Sequence, residues 1–246
     1  MRGGQGFVSE TLANYSAMMV TEGVFGTEAA RQVYDYQMNR YLTRRGELAR
    51  DVPLLEAEDQ AYISYGKGAV ATYTQREHFV EERVHTALRR FREKYRAGVP
   101  PYPTSYDLYA ELRASAPEPL HPLLTDLFET VTLWDVRAHR ARVEPTGTGE
   151  YRVAIDVTAK KVRADSVGNE TEVPMDDLVE IGVFAPNGAD GLGEPLYLQR
   201  HRIRSGEQTI SITVRQMPAR AGIDPWHKLI DRRRDDNVVE VNAGGA

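Results

Sequence analysis

Two short stretches carry side chains that could act together on a metal ion or a carbonyl group. They are Ser9-Glu10-Thr11-Leu12-Ala13-Asn14-Tyr15 and, far downstream, Tyr65-Gly66-Lys67-Gly68. A glutamate on a helix can complete a zinc site in which two histidines come from an earlier helix and a water or substrate takes the fourth position. A tyrosine phenol, protonated at neutral pH, can donate a hydrogen bond to negative charge that develops only in a transition state. The helix that completes such a site would carry His-Glu-x-x-His, whose i, i+4 spacing puts both imidazoles on one face with the glutamate as general base. The histidines here are His78, His85, His121, His139, His201 and His227, and no two of them bracket a glutamate in that pattern or its inverse. The two stretches thus read as one half of a zinc site.

The flanking residues sharpen this. Gly4-Gln5-Gly6-Phe7-Val8-Ser9-Glu10-Thr11-Leu12-Ala13 resembles the stretch that carries the third zinc ligand in the gluzincin aminopeptidases, the family of aminopeptidase N, and Tyr65-Gly66-Lys67-Gly68 reproduces that family's Tyr-x-Lys-Gly motif. The resemblance implies that Glu10 is a zinc ligand and that Tyr65 stabilises the oxyanion of a tetrahedral intermediate. More narrowly, the chain is similar to the C-terminal end of bacterial proteins that fuse an ABC-transporter permease to an aminopeptidase of this family. The stretches that carry this are Pro101-Tyr102-Pro103-Thr104-Ser105, Asp126-Leu127-Phe128-Glu129, Gly222-Ile223-Asp224-Pro225 and Asp235-Asp236-Asn237. Absent are His-Glu-x-x-His and the Gly-x-Met-Glu-Asn that the family uses to hold a substrate's free amine.

The resemblance therefore implies a fragment of a zinc metalloaminopeptidase whose intact form hydrolyses peptides from the N-terminus. Zinc, the metal-binding helix and any membrane tether would depend on a missing N-terminal part, and the chain alone is expected to hold no stoichiometric zinc and to be inactive. A chain that starts directly against a ligand-bearing helix reads as a truncated product. Two other readings share the same local residues: a non-catalytic interaction or positioning module of a transporter-associated protein, and a degenerate pseudopeptidase.

Bulk properties narrow the field. The 246 residues are 41% hydrophobic and 27% charged, the composition of an ordinary globular protein. With 31 basic against 36 acidic residues and a net charge of −5, and with the basic residues dispersed, a dedicated nucleic-acid surface is not expected. The absence of cysteine removes disulfides and thiolate metal sites. No apolar run approaches the roughly 20 residues that span a bilayer, so direct membrane insertion by this chain is not expected. Met1-Arg2-Gly3-Gly4-Gln5 is not followed by the apolar core of a signal peptide.

Periodicity predicts the elements that must hold Glu10 and Tyr65. Ser9 is expected to cap a helix over 10–25 that stops at Gly26, with Leu12, Ala13, Tyr15, Met19 and Val20 as its apolar surface. A second helix over 28–45 buries Ala30, Val33, Tyr34, Met38, Tyr41 and Leu42 and ends before Gly46. A third begins near Ile63 and runs to His78, placing Tyr65 at its start beside Gly66 and Gly68, where missing side chains permit the close approach of a partner or substrate backbone. Lys67 reads as structural or surface. A fourth helix over 81–96 carries the stripe Val84, Ala87, Leu88, Phe91 and Tyr95 and ends at Gly98. Thr104 and Asp107 form a capping box for a helix to Ala114, and Pro117, Pro119 and Pro122 break the pattern before a last short helix over 123–130.

The period then changes to two. Strands are expected over 136–143, 151–160, 177–184, 196–203 and 208–214, the first pair joined by the turn Pro145-Thr146-Gly147-Thr148-Gly149. The fold class expected is α+β: the helical C-terminal half of a thermolysin-like peptidase domain (1–118), a connecting helix (119–134), and a small antiparallel β-sandwich with a C-terminal tail (135–246). No chemistry is assigned to the β half. Asn187-Gly188-Ala189-Asp190-Gly191 lacks the further carboxylates of a calcium loop and reads as a strand connection. Arg232-Arg233-Arg234, compensated by Asp235-Asp236, reads as a solvated tail. His78 and His85, seven positions apart, would need further ligands to hold a metal.

Overall fold

The structure, a computed structural model, describes residues 6–47, 51–79, 81–147, 149–187 and 191–243. Helices and strands both contribute heavily, so the α+β class holds, and the chain divides into two compact units. One comprises Met1–Thr132 with Arg163–Glu170, the other Leu133–Val162 with Thr171–Ala246.

The first unit is helical. A π-helical segment, π1 (Phe7–Thr11), runs directly into α1 (Leu12–Phe25), which Gly26 ends at φ 88° as a terminating glycine should. The helix starts earlier than the sequence suggests: Gly6, not Ser9, holds the capping position, and Ser9 lies inside π1. A five-residue π turn accommodates Ser9 and Glu10 where a capped α-turn was expected. Nor is α1 apolar on one side only, for Tyr15 and Met18 are buried whereas Ala13 and Val20 are exposed. Helix α2 (Thr27–Glu47) runs through Gly46, because a glycine without positive φ weakens a helix and does not end it. Its buried side is Ala30, Tyr34, Gln37, Met38 and Tyr41; of the expected face Val33 and Leu42 are only half-buried, and Gln37 is added.

A second π-helical segment, π2 (Tyr62–Lys67), leads into α3 (Gly68–His78), whose first two turns are buried all round. Helix α4 (Glu81–Tyr95) buries Val84, Ala87 and Phe91. Helix α5 (Ser105–Ser115) opens on the expected capping box, the Thr104 hydroxyl accepting from the Asp107 amide at 3.4 Å and the Asp107 carboxylate accepting from the Thr104 amide at 2.9 Å. After α6 (His121–Leu124), a third π-helical segment, π3 (Thr125–Glu129), brings Phe128 edge-on to Phe7 at 5.6 Å between centroids. The core of this unit is built from Phe7, Met38, Tyr41, Ile63, Leu108, Leu112 and Phe128, all essentially inaccessible. No helix among the described residues is long and apolar enough to cross a membrane.

The strands are β1 (Val131–Pro145), β2 (Tyr151–Ala164), β3 (Glu170–Val173), β4 (Asp176–Phe184), β5 (Pro195–Arg204), β6 (Gly206–Val214), β7 (Arg220–Ile223) and β8 (Val238–Ala243). They form one hydrogen-bonded path, β3-β2-β1-β8-β7-β4-β5, with β6 also paired to β2. The alternation in β2 is as expected: Val153, Ile155, Val157 and Ala159 are buried. Two expectations change. The sheet is mixed, since β8 lies parallel to β1 with Ala141 opposite Val241, and antiparallel to β7. The Arg232–Asp236 run is solvated, with Arg232, Arg233 and Asp235 exposed, but it is not a tail: Asp236 accepts from Arg137 at 2.8 Å, Arg233 pairs with Asp135 at 3.1 Å, and the following residues enter the sheet as β8. Strands β3 and β7, of four residues each, were not among those expected, because so few residues show no period. Thr148 of the first hairpin turn and Gly188 to Asp190 of the calcium-like loop lie outside the described residues.

Candidate active-site pair Glu10 and Tyr65

The two stretches singled out by their chemistry meet in the helical unit. Both candidate residues sit in π-helical segments, Glu10 in π1 and Tyr65 in π2, and single π turns inside α-helices recur at functional sites. The segments dock through backbone-level contact. Thr11 Oγ1 donates to the carbonyl of Ser64 at 2.6 Å, and a Cβ on Gly68 would lie 2.1 Å from that same hydroxyl. On the other side, a Cβ on Gly66 would lie 3.1 Å from both the Gln37 carbonyl and Tyr41 Cβ of α2. The glycines of Tyr-Gly-Lys-Gly thus do permit a close approach, but of the chain to itself: Gly68 admits π1 and Gly66 admits α2.

This wedging fixes the pair. The Glu10 carboxylate neighbours the Tyr65 phenol and is the main reason its pKa lies above the usual tyrosine value; the Arg40 guanidinium acts in the opposite sense. Both side chains are half-buried, open enough to reach a ligand. Behind Glu10, Asn14 Nδ2 donates to the Glu10 carbonyl at 3.3 Å, and Gln37 Nε2 donates to Asn14 Oδ1 at 3.3 Å. A carboxylate has about four lone-pair sites, so one phenol leaves most of its acceptor capacity available.

Lys67 has the structural role expected of it. It is fully buried, its ammonium donates to the Thr130 carbonyl at 2.9 Å and lies 5.9 Å from the Tyr41 ring centroid, and burial pulls its pKa down to about 8. Neighbouring Asp51 accepts from the Tyr41 hydroxyl at 2.7 Å and from Arg45 Nε at 2.8 Å. The two histidines seven positions apart have separate partners: His78 Nδ1 lies 2.9 Å from the Thr74 carbonyl and His85 Nε2 lies 3.4 Å from the Tyr15 hydroxyl.

The donor set can be weighed against a zinc ion. A catalytic zinc takes three protein ligands. Among the described residues there is no group of three or more His, Cys, Asp or Glu side chains placed to hold a metal. What Glu10 offers is one helical carboxylate with a phenol beside it, which fits a single ligand position next to an oxyanion donor.

Asn14, Gln37 and Arg40 complete the surroundings and were not legible as site residues. The helical period puts Gln37, Arg40 and Tyr41 on one side of α2, but nothing local says that this side meets Tyr65. No family model matches the chain, and no curated protein matches it.

Proposed function

We propose that this chain is the C-terminal part of a zinc metalloaminopeptidase resembling the gluzincin family, with Glu10 as third zinc ligand and Tyr65 as oxyanion stabiliser. The observation that supports it most is that Glu10 and Tyr65, remote in sequence, are neighbours on two π-helical segments that dock through Thr11 and Ser64. On this reading the helical unit is the latter half of a thermolysin-like domain, and the curled sheet is the small sandwich-like domain that follows. A zinc ion, when bound, supplies a Lewis acid and an activated water for peptide hydrolysis. Glu10 holds one coordination position, braced from behind by Asn14 and Gln37. Tyr65 turns its hydroxyl from Glu10 to the oxygen on which charge develops, a donor whose removal costs roughly 100- to 1,000-fold in kcat.

A second feature is consistent with a helix lying over this site. Beyond Glu10, α1 presents Ala13, Ala17, Val20 and Val24 at alternating steps of four and three residues, the seam of a helix–helix contact. Ala13 and Ala17 are exposed, as are Val20 at 64% and Val24 at 65%, with Phe25 at 74% just beyond. A helix bearing the two missing histidines fits such a seam, the alanines allowing close approach next to Glu10. The membrane tether and transporter association follow only from the resemblance to permease fusions. The competing reading, a non-catalytic positioning module, draws on the lone ligand.

The test uses the product of the intact reading frame, with zinc stoichiometry and hydrolysis of an alanyl anilide as readouts. Glu10→Gln should lose zinc, and Tyr65→Phe should keep zinc while losing kcat on the scale given above. Unchanged kcat in Tyr65→Phe overturns the assignment. The 246-residue chain alone should neither retain stoichiometric zinc nor hydrolyse the anilide, and chelator-sensitive turnover by it would refute the need for further ligands.

A further inference from the structure

Arg40 stands at the candidate pair, over the Tyr65 ring. Its guanidinium carbon lies 5.1 Å from the centroid of the Tyr65 ring, and the side chain is half-buried. The next arginines of α2 are paired, Arg44 with Glu47 at 2.8 Å and Arg45 with Asp51 at 2.8 Å. Arg40 has no ion-pair partner among the described residues, and the Glu10 carboxylate has the Tyr65 phenol as its neighbour. Its backbone is held firmly, because Gln37 and Tyr41, on the same side of α2, are the residues against which Gly66 packs.

A guanidinium stacked on a ring is already restrained, and its five N–H donors match the two oxygens of a carboxylate. An unpaired arginine in such a setting is a ready anion subsite. Its position beside the phenol sets the distance of that anion from the chemistry. With a peptide repeat of roughly 3.5 Å, a carboxylate on Arg40 belongs to a residue within one or two positions of the carbonyl that Tyr65 addresses.

We propose that Arg40 is a specificity-determining residue that binds a substrate carboxylate close to the scissile bond, so that the preferred substrates are short peptides with a free C-terminus or an acidic side chain just beyond it. The identification of the ligand as a peptide rests on the peptidase reading; the presence of a carboxylate subsite at Arg40 does not.

The experiment is an NMR titration of the 246-residue chain carrying labelled tyrosine rings, with the Tyr65 resonance assigned by its loss in Tyr65→Phe. Three probes are compared: L-alanyl-L-alanine, its C-terminal amide, and L-alanyl-L-glutamic acid C-terminal α-amide. The Tyr65 ring should shift with at least one carboxylate-bearing probe, with affinity at least tenfold above that of the alanyl-alanine amide. A response to the first probe identifies the terminal carboxylate, and a response to the third identifies the side chain. Arg40→Gln should abolish the preference and Arg40→Lys should retain part of it, while the other tyrosine resonances report an intact fold. Equal responses to all three probes, a preference that survives in Arg40→Gln, or no response to any of them at tens of millimolar overturns the assignment. None of these outcomes bears on zinc binding by the intact product. Conversely, an Arg40-dependent preference together with unchanged kcat in Tyr65→Phe would uphold the subsite and refute the peptidase assignment.

Discussion

Gly68→Ala is the sharpest probe of how the candidate pair is held. The added methyl would sit 2.1 Å from Thr11 Oγ1 and 2.9 Å from both Thr11 Cβ and Cγ2, where uncrowded carbon contacts lie at about 3.5–4.0 Å. Thr11 is fully buried, so it has no free space into which to turn. The segment π1 must therefore move away from π2 by about 1 Å or more. Overpacking of this kind costs about 1–3 kcal/mol, and the Thr11 to Ser64 hydrogen bond lost with it adds about 1 kcal/mol. The total expected is about 2–4 kcal/mol, which at a urea m-value of about 2 kcal/mol/M lowers the midpoint by roughly 1–2 M. The two units can be read separately. The α-helices lie in the first unit, so circular dichroism at helical wavelengths follows it, whereas both tryptophans, Trp134 and Trp226, lie in the second and report on it by fluorescence. The helical signal should shift, and Thr11→Ala in the same chain should recover part of the stability by removing the hydroxyl and methyl that clash. A shift in Gly68→Ala below about 0.5 kcal/mol, the range of an indifferent surface change, would refute the wedge.

Two further perturbations test the same unit. Gly23→Ala, where an added Cβ meets nothing within 4 Å and the backbone is already helical, should stabilise by about 0.5–1 kcal/mol in the same helical transition, and destabilisation would show that this end of α1 is packed against something. Lys67 gives a pH signature. Burial pulls its pKa from 10.5 down to about 8, so between those values the unfolded chain keeps a proton that the native chain releases, and stability rises with pH across that window. Between about pH 7.5 and about pH 10 the wild type should gain about 2 kcal/mol over Lys67→Met. Parallel stability curves for the two proteins would show that the ammonium is not desolvated.

How much of this was legible beforehand differs by element. The long helices announced themselves because 3.6-residue periodicity and Gly26, Gly98 and the Thr104–Asp107 box are local signals. Strand β2 did so because its alternation spans nine residues. Segments π1 and π2 did not, since a π turn leaves no mark in composition, and Ser9 reads locally as a cap although it lies inside π1. The parallel pairing of β8 with β1 was equally hidden, because it depends on a partner nearly a hundred residues away.

The sequence by itself determined the chemistry on offer: a carboxylate and a phenol in motifs that resemble a peptidase, no cysteine, and no His-Glu-x-x-His. Those are properties of residue type and spacing and need no fold. Only the tertiary structure decided that Glu10 and Tyr65 are neighbours, that the glycines beside Tyr65 admit the chain's own π1 and α2, and that Arg40 stands over the Tyr65 ring with no ion partner among the described residues. Each of these is a contact between segments distant in the chain, set by which surfaces can approach to within a few ångströms, and steric fit of that kind is not encoded in any one stretch of sequence.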